Sequence, residues 1–381
     1  MQTFQELLYG LLKEYYGSLS HLGIRGIERR EFGFGDLERT IAYRHFGFRT
    51  EQSLLNYLVQ NPAPFVSYSI SEYERPTARP MENKKWIGAE LAFDIDATDL
   101  HLSCQVVHGN DWVCENCFSS VKNEAFRLIE DFLVPDFGFS KNDISVNFSG
   151  NRGYHVHVFN DEIFGLGPKA RKQITDYISA ANIDISHFFP TMGEKGKPLM
   201  GPTPNSGGWG GKLAKGVISL LNQGPEALEA VGVENSIARK LVKNKAEVIL
   251  GIATNGNWDK VSIPKKVEFW SNVLSSIAIK QSDAIDRNVT NDKYHLIRMP
   301  NSIHGKSGLI SKSVSLSDLE KFEPARDAIA FKKGTLKVKV SSSPQFVMNE
   351  MSFGPYKDSV VELPTYAAVY LILKHRASLV E

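Results

Sequence analysis

Apolar residues recur every three or four positions along "TFQELLYGLLKEYYG", which places Leu7, Leu8, Leu11, Leu12 and Tyr15 in one stripe. That spacing predicts an amphipathic helix over 3–16. The same period predicts helices at 36–46 and from Thr50 to Val59, the second stopping ahead of Pro62. Between 64 and 96 the period drops to two, in "PFVSYSI" and "WIGAELAFDID", as strands require. An amphipathic helix at 119–133 is followed by "DISVNFSGNRGYHVHVF", which reads as two strands joined by a glycine-containing turn. Helical spacing then dominates, at 168–181, 225–231, 235–250 and 264–279, broken by a Gly/Pro-rich loop at 193–211. Strand-like patterning returns after 281, and short strands precede a final helix at 364–378. The expected class is mixed α/β: β-sheets flanked by helices, built from 1–161 and 281–381, with a mainly helical subdomain inserted at 162–280.

One strand breaks its own rule. In "ELAFDIDATDL", Leu91, Phe93 and Ile95 share the face that packs, while Ala92, Asp94 and Asp96 share the other. Two like charges in a half-buried place stay ionised only where cations compensate them. A hard-metal site and a solvated strand end both fit this stretch alone.

The 381 residues carry 44 basic and 43 acidic side chains, a net charge of +1, so any nucleic-acid surface must be local. No apolar run approaches the roughly 18 residues that span a bilayer. The three cysteines, all between 104 and 117, argue against a disulfide framework and for a reducing, cytoplasmic location.

Those cysteines also supply chemistry. In "CQVVHGNDWVCENC", Cys104, His108, Cys114 and Cys117 can close a tetrahedron around Zn²⁺, and four protein ligands leave no open position, so the ion is expected to be structural. "SGNRGYHVHV" offers Ser149, Arg152, His155 and His157 around glycines 150 and 153, groups that suit phosphate oxygens. A histidine metal pair or an exposed hairpin are the alternatives there. "HLIRMPNSIHGKSG" adds His295, Arg298, His304 and Lys306, and Asp286 and Asp292 stand just upstream. Near the N-terminus, Arg29, Arg30, Arg39 and Arg44 alternate with aromatics, which suits a nucleic-acid surface or a charged helix face.

In this order, "REFGF", "AFDIDATD", the Cys/His knuckle, "SGNRGYHVHV" and "DRNVTNDKYHLIRMPNSIHGKSG" resemble the catalytic small subunit of the archaeal and eukaryotic DNA primase, over about 30–310. The C-terminal "FGPYKDSVVELPTYAAVYLI" looks like the tail of its archaeal members. The resemblance implies a primase-type catalytic core that makes short primers, of RNA or also of DNA, from nucleoside triphosphates on a single-stranded DNA template. It implies two Mg²⁺ or Mn²⁺ ions on Asp94, Asp96 and a third aspartate, for which Asp286 is the best match and Asp292 the fallback. It implies triphosphate contacts from Arg44, Ser149, Arg152, His155, Arg298 and His304, and a separate large subunit as partner. Asn151 stands where some relatives have a second arginine. The alternatives are a polymerase of the same superfamily for end joining or lesion bypass, a metal-dependent nuclease, and a non-catalytic zinc-stabilised nucleic-acid-binding protein.

Overall fold

Thr3 accepts the backbone N–H of Glu6 while Glu6 accepts that of Thr3, so the helix Phe4–Gly17 begins at a reciprocal cap. A second cap at Thr50 starts the helix Glu51–Gln60. Leu8, Leu12 and Tyr16 of the first helix and Leu54, Leu55 and Leu58 of the second enter one core, together with Phe32, Phe34 and Val66 from strands. The computed structural model describes residues 3–181, 183–190, 197–282 and 285–380; positions 193–196 of the Gly/Pro-rich segment lie outside the described residues.

The chain divides into two compact units. The first comprises Met1–Ala125, Phe139–Lys172 and Asp286–Glu381, and it carries the sheets. One antiparallel sheet runs Tyr43–Phe46, Phe32–Gly35, Phe65–Ser69, Leu296–Arg298. Another runs Ser313–Val314, Ile144–Phe148, Gly153–Val158, Leu91–Asp96. A third is formed by Tyr356–Pro364, Thr335–Ser343 and Ala377–Leu379. The second unit comprises Phe126–Gly138 and Gln173–Ile285 and is helical. Its helix Gly208–Gln223 buries Leu213, Val217 and Leu221, and Trp258 meets Trp270 edge to face at 4.9 Å between ring centres.

Several elements depart from the pattern-based expectation. Residues 36–46 form no helix. The Asp36 carboxylate accepts the backbone N–H groups of Glu38 and Arg39, which fixes a tight turn, and the strand Tyr43–Phe46 returns against Phe32–Gly35. The glycines at 208, 210 and 211 are helical rather than loop; a Cβ on Gly211 would lie 2.1 Å from the Ser206 carbonyl, so close approach, not flexibility, explains that glycine. The 235–250 pattern is two helices, Asn235–Lys243 and Lys245–Asn255, divided at Asn244. The helix expected at 119–133 starts at Glu115 and passes at Leu128 into a π-helical turn. The last helix, Thr365–Leu373, stops short of 378 because His375 takes φ +56° and sends Ala377–Leu379 back into a sheet. No helix among the described residues is long and apolar enough to cross a membrane.

Candidate active site

The strand Leu91–Asp96 pairs antiparallel with Gly153–Val158 so that Asp94 faces His155, Ala92 faces His157 and Asp96 faces Gly153. The alternation of the strand therefore places the two aspartates and the two histidines on one sheet face. Leu91, Phe93 and Ile95 are fully buried, while Asp94 and Asp96 remain partly open. On the other edge of the strand, Asp286 donates its backbone N–H to the Asp94 carbonyl at 3.0 Å, which sets a third carboxylate beside the first.

Within the chain, Asp96 and Asp286 keep separate partners. Asp96 accepts from Thr98 and lies 2.8 Å from Arg152 Nε, and Asp286 caps the helix Arg287–Asn291 through the Asn288 N–H. Burial and the charges of Asp96, Asp286 and Asp99 push the Asp94 carboxyl up to about 7. A carboxylate that resists ionisation beside two others, with oxygen-only donors, fits a hard divalent cation.

Above the carboxylates lies a polar cavity of about 220 Å³ lined by Asp94, Asp96, Ser149, Asn151, His155, Arg298 and His304, with Thr40, Ile41, Ser67 and His295. The turn that shapes it needs its glycines. Gly150 has φ +85°, and a Cβ there would meet His304 Cβ at 2.8 Å, so the hairpin turn and the His304 loop can only approach through a glycine. Ser307 Oγ donates to the Gly150 carbonyl and fastens the two segments. Ser149 Oγ accepts the backbone N–H of Gly153, leaving its own O–H to donate elsewhere.

Several polar nitrogens of the cavity find no partner among the described residues. Arg298 lies over the Phe65 ring at 4.8 Å, and its Nε and one terminal nitrogen are sealed from solvent without a hydrogen-bond partner. Burial pulls its guanidinium down to about 10. His304 Nδ1 accepts the Lys306 backbone N–H, which puts the ring proton on Nε2. Burial, then Arg298 and neighbouring cations, holds His304 well below the usual histidine range; His155 is lowered in the same direction by burial and by His157. His155 Nδ1 also has no partner.

Not every expected residue reaches the cavity. Arg152 stands beside it, spanning Asp96 and the Asn110 carbonyl at 3.1 Å. Arg44 is absent from the lining and is held by the buried Glu31 carboxylate through Nε at 2.8 Å and a second nitrogen at 3.2 Å. Asp292 instead accepts the Tyr294 N–H at the end of its helix. His157 is fully buried against Glu90, which also pairs with Arg30, so it braces the sheet. Pattern reading missed Thr40, Ile41 and Ser67. Thr40 and Ile41 lie where helical spacing hides a turn, whereas Ser67, a lone hydroxyl in "FVSYS", was a readable signal.

The second centre is compact. Among the described residues, one group of three or more candidate ligands converges, Cys104, His108, Cys114 and Cys117, with all ligand atoms within 4.8 Å. Cys117 Sγ lies 3.6 Å from Cys104 Sγ, 3.7 Å from Cys114 Sγ and 3.5 Å from His108 Nε2. A tetrahedron with Zn–S bonds of about 2.3 Å has edges of ~3.8 Å, whereas a disulfide would need about 2.05 Å. Cys104 and His108 sit one turn apart on the helix Ser103–His108, and Cys117 lies in the first turn of Glu115–Arg127.

The first unit therefore carries paired carboxylates and a donor-lined cavity on antiparallel sheets, and a Cys₃His group whose ligand atoms converge. Residues 93–316 match the DNA primase small subunit family. The chain is similar over 96% of its length to the DNA primase small subunit PriS of Methanococcoides burtonii, at 31% identity, covering 96% of that protein. PriS of Thermoplasma volcanium is 31% identical over 98% of this chain and 97% of its own, and PriS of Archaeoglobus fulgidus 32% identical over 96% of both. The chain belongs to the DNA primase small subunit family. The end-joining and non-catalytic readings are not favoured by relatives that share one name along nearly the whole chain.

Proposed function

We propose that this chain is the catalytic subunit of a DNA primase, a DNA-directed RNA polymerase that joins nucleoside triphosphates into short primers on single-stranded DNA and releases pyrophosphate. The observation that carries this reading is Arg298, which lines the same cavity as Asp94 and Asp96 and has two buried guanidinium nitrogens without a partner among the described residues. A buried cation without an acceptor is costly unless an anion completes it. Carboxylates at one end and unsatisfied donors at the other match a metal-bound triphosphate and make little sense for a nuclease.

In this reading Arg298, His304 Nε2–H, the Ser149 hydroxyl and His155 grip the triphosphate. Arg152 neutralises whichever of Asp96 and the phosphates is left uncompensated, and Arg44, on its Glu31 anchor, adds positive charge near the Tyr294 carbonyl. Because His155 and His304 are neutral when the cavity is empty, they bind as hydrogen-bond donors and gain charge as the phosphates arrive. Divalent cations held by Asp94, Asp96 and Asp286, Mg²⁺ or Mn²⁺, would activate the attacking hydroxyl and neutralise the departing pyrophosphate. The basic side chains offset the charge that grows on the phosphates during transfer. Cys104, His108, Cys114 and Cys117 hold a structural Zn²⁺, and the Asn110 carbonyl within that knuckle fixes Arg152. A large subunit is the expected partner, and the cytoplasm the expected location.

Arg298→Ala tests the reading. Loss of a charge-assisted contact worth roughly 1.5–3 kcal/mol raises the nucleotide KM by about 10- to 100-fold. Template affinity changes little, since it comes from basic surface elsewhere along the strand. Steady-state extension kinetics with a parallel template titration decide it; weakened template binding with an unchanged KM would contradict the assignment.

A further inference from the structure

The helix Thr365–Leu373 carries no charged side chain, and the next residue is Lys374. Lys374 is only 7% exposed, and its ammonium donates to the Asn151 Oδ1 at 2.9 Å. An ammonium has three donors. Among the described residues, this ammonium also approaches the Tyr370 ring face-on, at 5.6 Å. Burying a cation against one neutral acceptor is unfavourable unless its charge is used, and the helix C-terminus offsets only part of that cost. Burial, then Arg152 and Lys306, lower the Lys374 pKa to about 8, and the charges of Asp111 and Asp96 oppose that shift without cancelling it.

The bond also orients Asn151. With Oδ1 committed to Lys374, the amide NH₂ is the end left to serve the cavity that Asn151 lines. That cavity already holds Arg298 and His304.

We propose that Lys374 and Asn151 act as one phosphate-binding unit: Asn151 donates its amide to a triphosphate oxygen, and Lys374 is the positioning residue that fixes the amide and supplies the positive charge a residue at 151 lacks. A residue more than two hundred positions downstream thus completes the hairpin turn. This inference rests on reading the cavity as the triphosphate site.

The test uses the full chain, a primed single-stranded template and the same kinetic assay. Lys374→Met fills the volume beside Tyr370 without the charge; about a tenfold rise in nucleotide KM is expected, with the loss falling mainly in KM, and Lys374→Arg should restore most of it. In an Asn151→Ala background, Lys374→Met should add less than about twofold, since residues acting as one unit are not additive. Asn151→Asp keeps a partner for Lys374 but removes the donor; its KM rises while its melting temperature holds. A folded Lys374→Met protein with KM within twofold of the parent, while Arg298→Ala raises KM, overturns this proposal alone. If Arg298→Ala also leaves KM unchanged, the triphosphate reading fails instead. Should Lys374→Met fail to fold, Asn151→Asp decides: a raised KM supports the unit and an unchanged KM overturns it.

Discussion

Asp94→Asn is expected to abolish nucleotide incorporation, leave the fold intact, and make the metal-free protein more stable than its parent above pH 7. The substitution keeps the shape of the side chain and removes one of the three carboxylates that would hold a divalent cation. Lewis-acid catalysis contributes several kcal/mol, so the loss should exceed about a thousandfold; a tenfold change is only ~1.4 kcal/mol and would contradict a metal-ligand role. The stability effect follows from burial and the like charges of Asp96, Asp286 and Asp99, which push Asp94 up to about 7. A folded-state pKa above the unfolded value of about 3.9 means that folding takes up a proton between those limits. Stability of the metal-free parent therefore falls as pH rises through that window, whereas the asparagine does not titrate. Asp94 is 34% exposed, so solvent screening reduces the full shift to a difference on the order of 1–2 kcal/mol. Thermal unfolding in chelator at pH 4 and pH 8 measures it. Added Mn²⁺ should stabilise the parent more than the variant.

Cys114→Ser should release the zinc ion and unfold the knuckle. Four ligands within 4.8 Å fold around their metal, and structural zinc sites contribute apparent binding energies of about 10–16 kcal/mol in isolated peptides. The damage should reach catalysis through two contacts. Asn110 would no longer hold Arg152, and Trp112, which packs edge to face on Tyr370 at 5.6 Å, would leave the C-terminal helix less supported. Metal analysis should give one zinc per parent chain and substoichiometric zinc in the variant, with a lower melting temperature and a raised nucleotide KM. Native protein without zinc, or a variant with unchanged stability, would contradict the assignment.

Much of the site was legible because its chemistry is local. The two-residue period of "LAFDID" places Asp94 and Asp96 on the open face, and the glycines of "SGNRGYHVHV" announce the turn on which Ser149 and His155 converge. What was hidden depends on partners far along the chain. Arg44 read as a phosphate contact, and Glu31, just ahead of the strand Phe32–Gly35, holds its guanidinium. Lys374 read as one position inside the expected 364–378 helix and is tied to Asn151, 223 residues away. In the fold, the Asp36 turn overrode helical spacing because a side-chain carboxylate can satisfy backbone N–H groups better than the next helical turn. The "GWGG" segment misled in the opposite direction, since glycines that look like loop are helical where neighbouring backbone presses too close for a side chain.

Synthesis on an unprimed single-stranded DNA template with labelled ribonucleoside triphosphates, run with the expected large subunit present, tests the catalytic assignment head-on. Template-dependent short products are expected in Mn²⁺ or Mg²⁺, none in chelator, and none from Asp94→Asn protein assembled in the same way. Products of equal yield from the parent and Asp94→Asn proteins would contradict it.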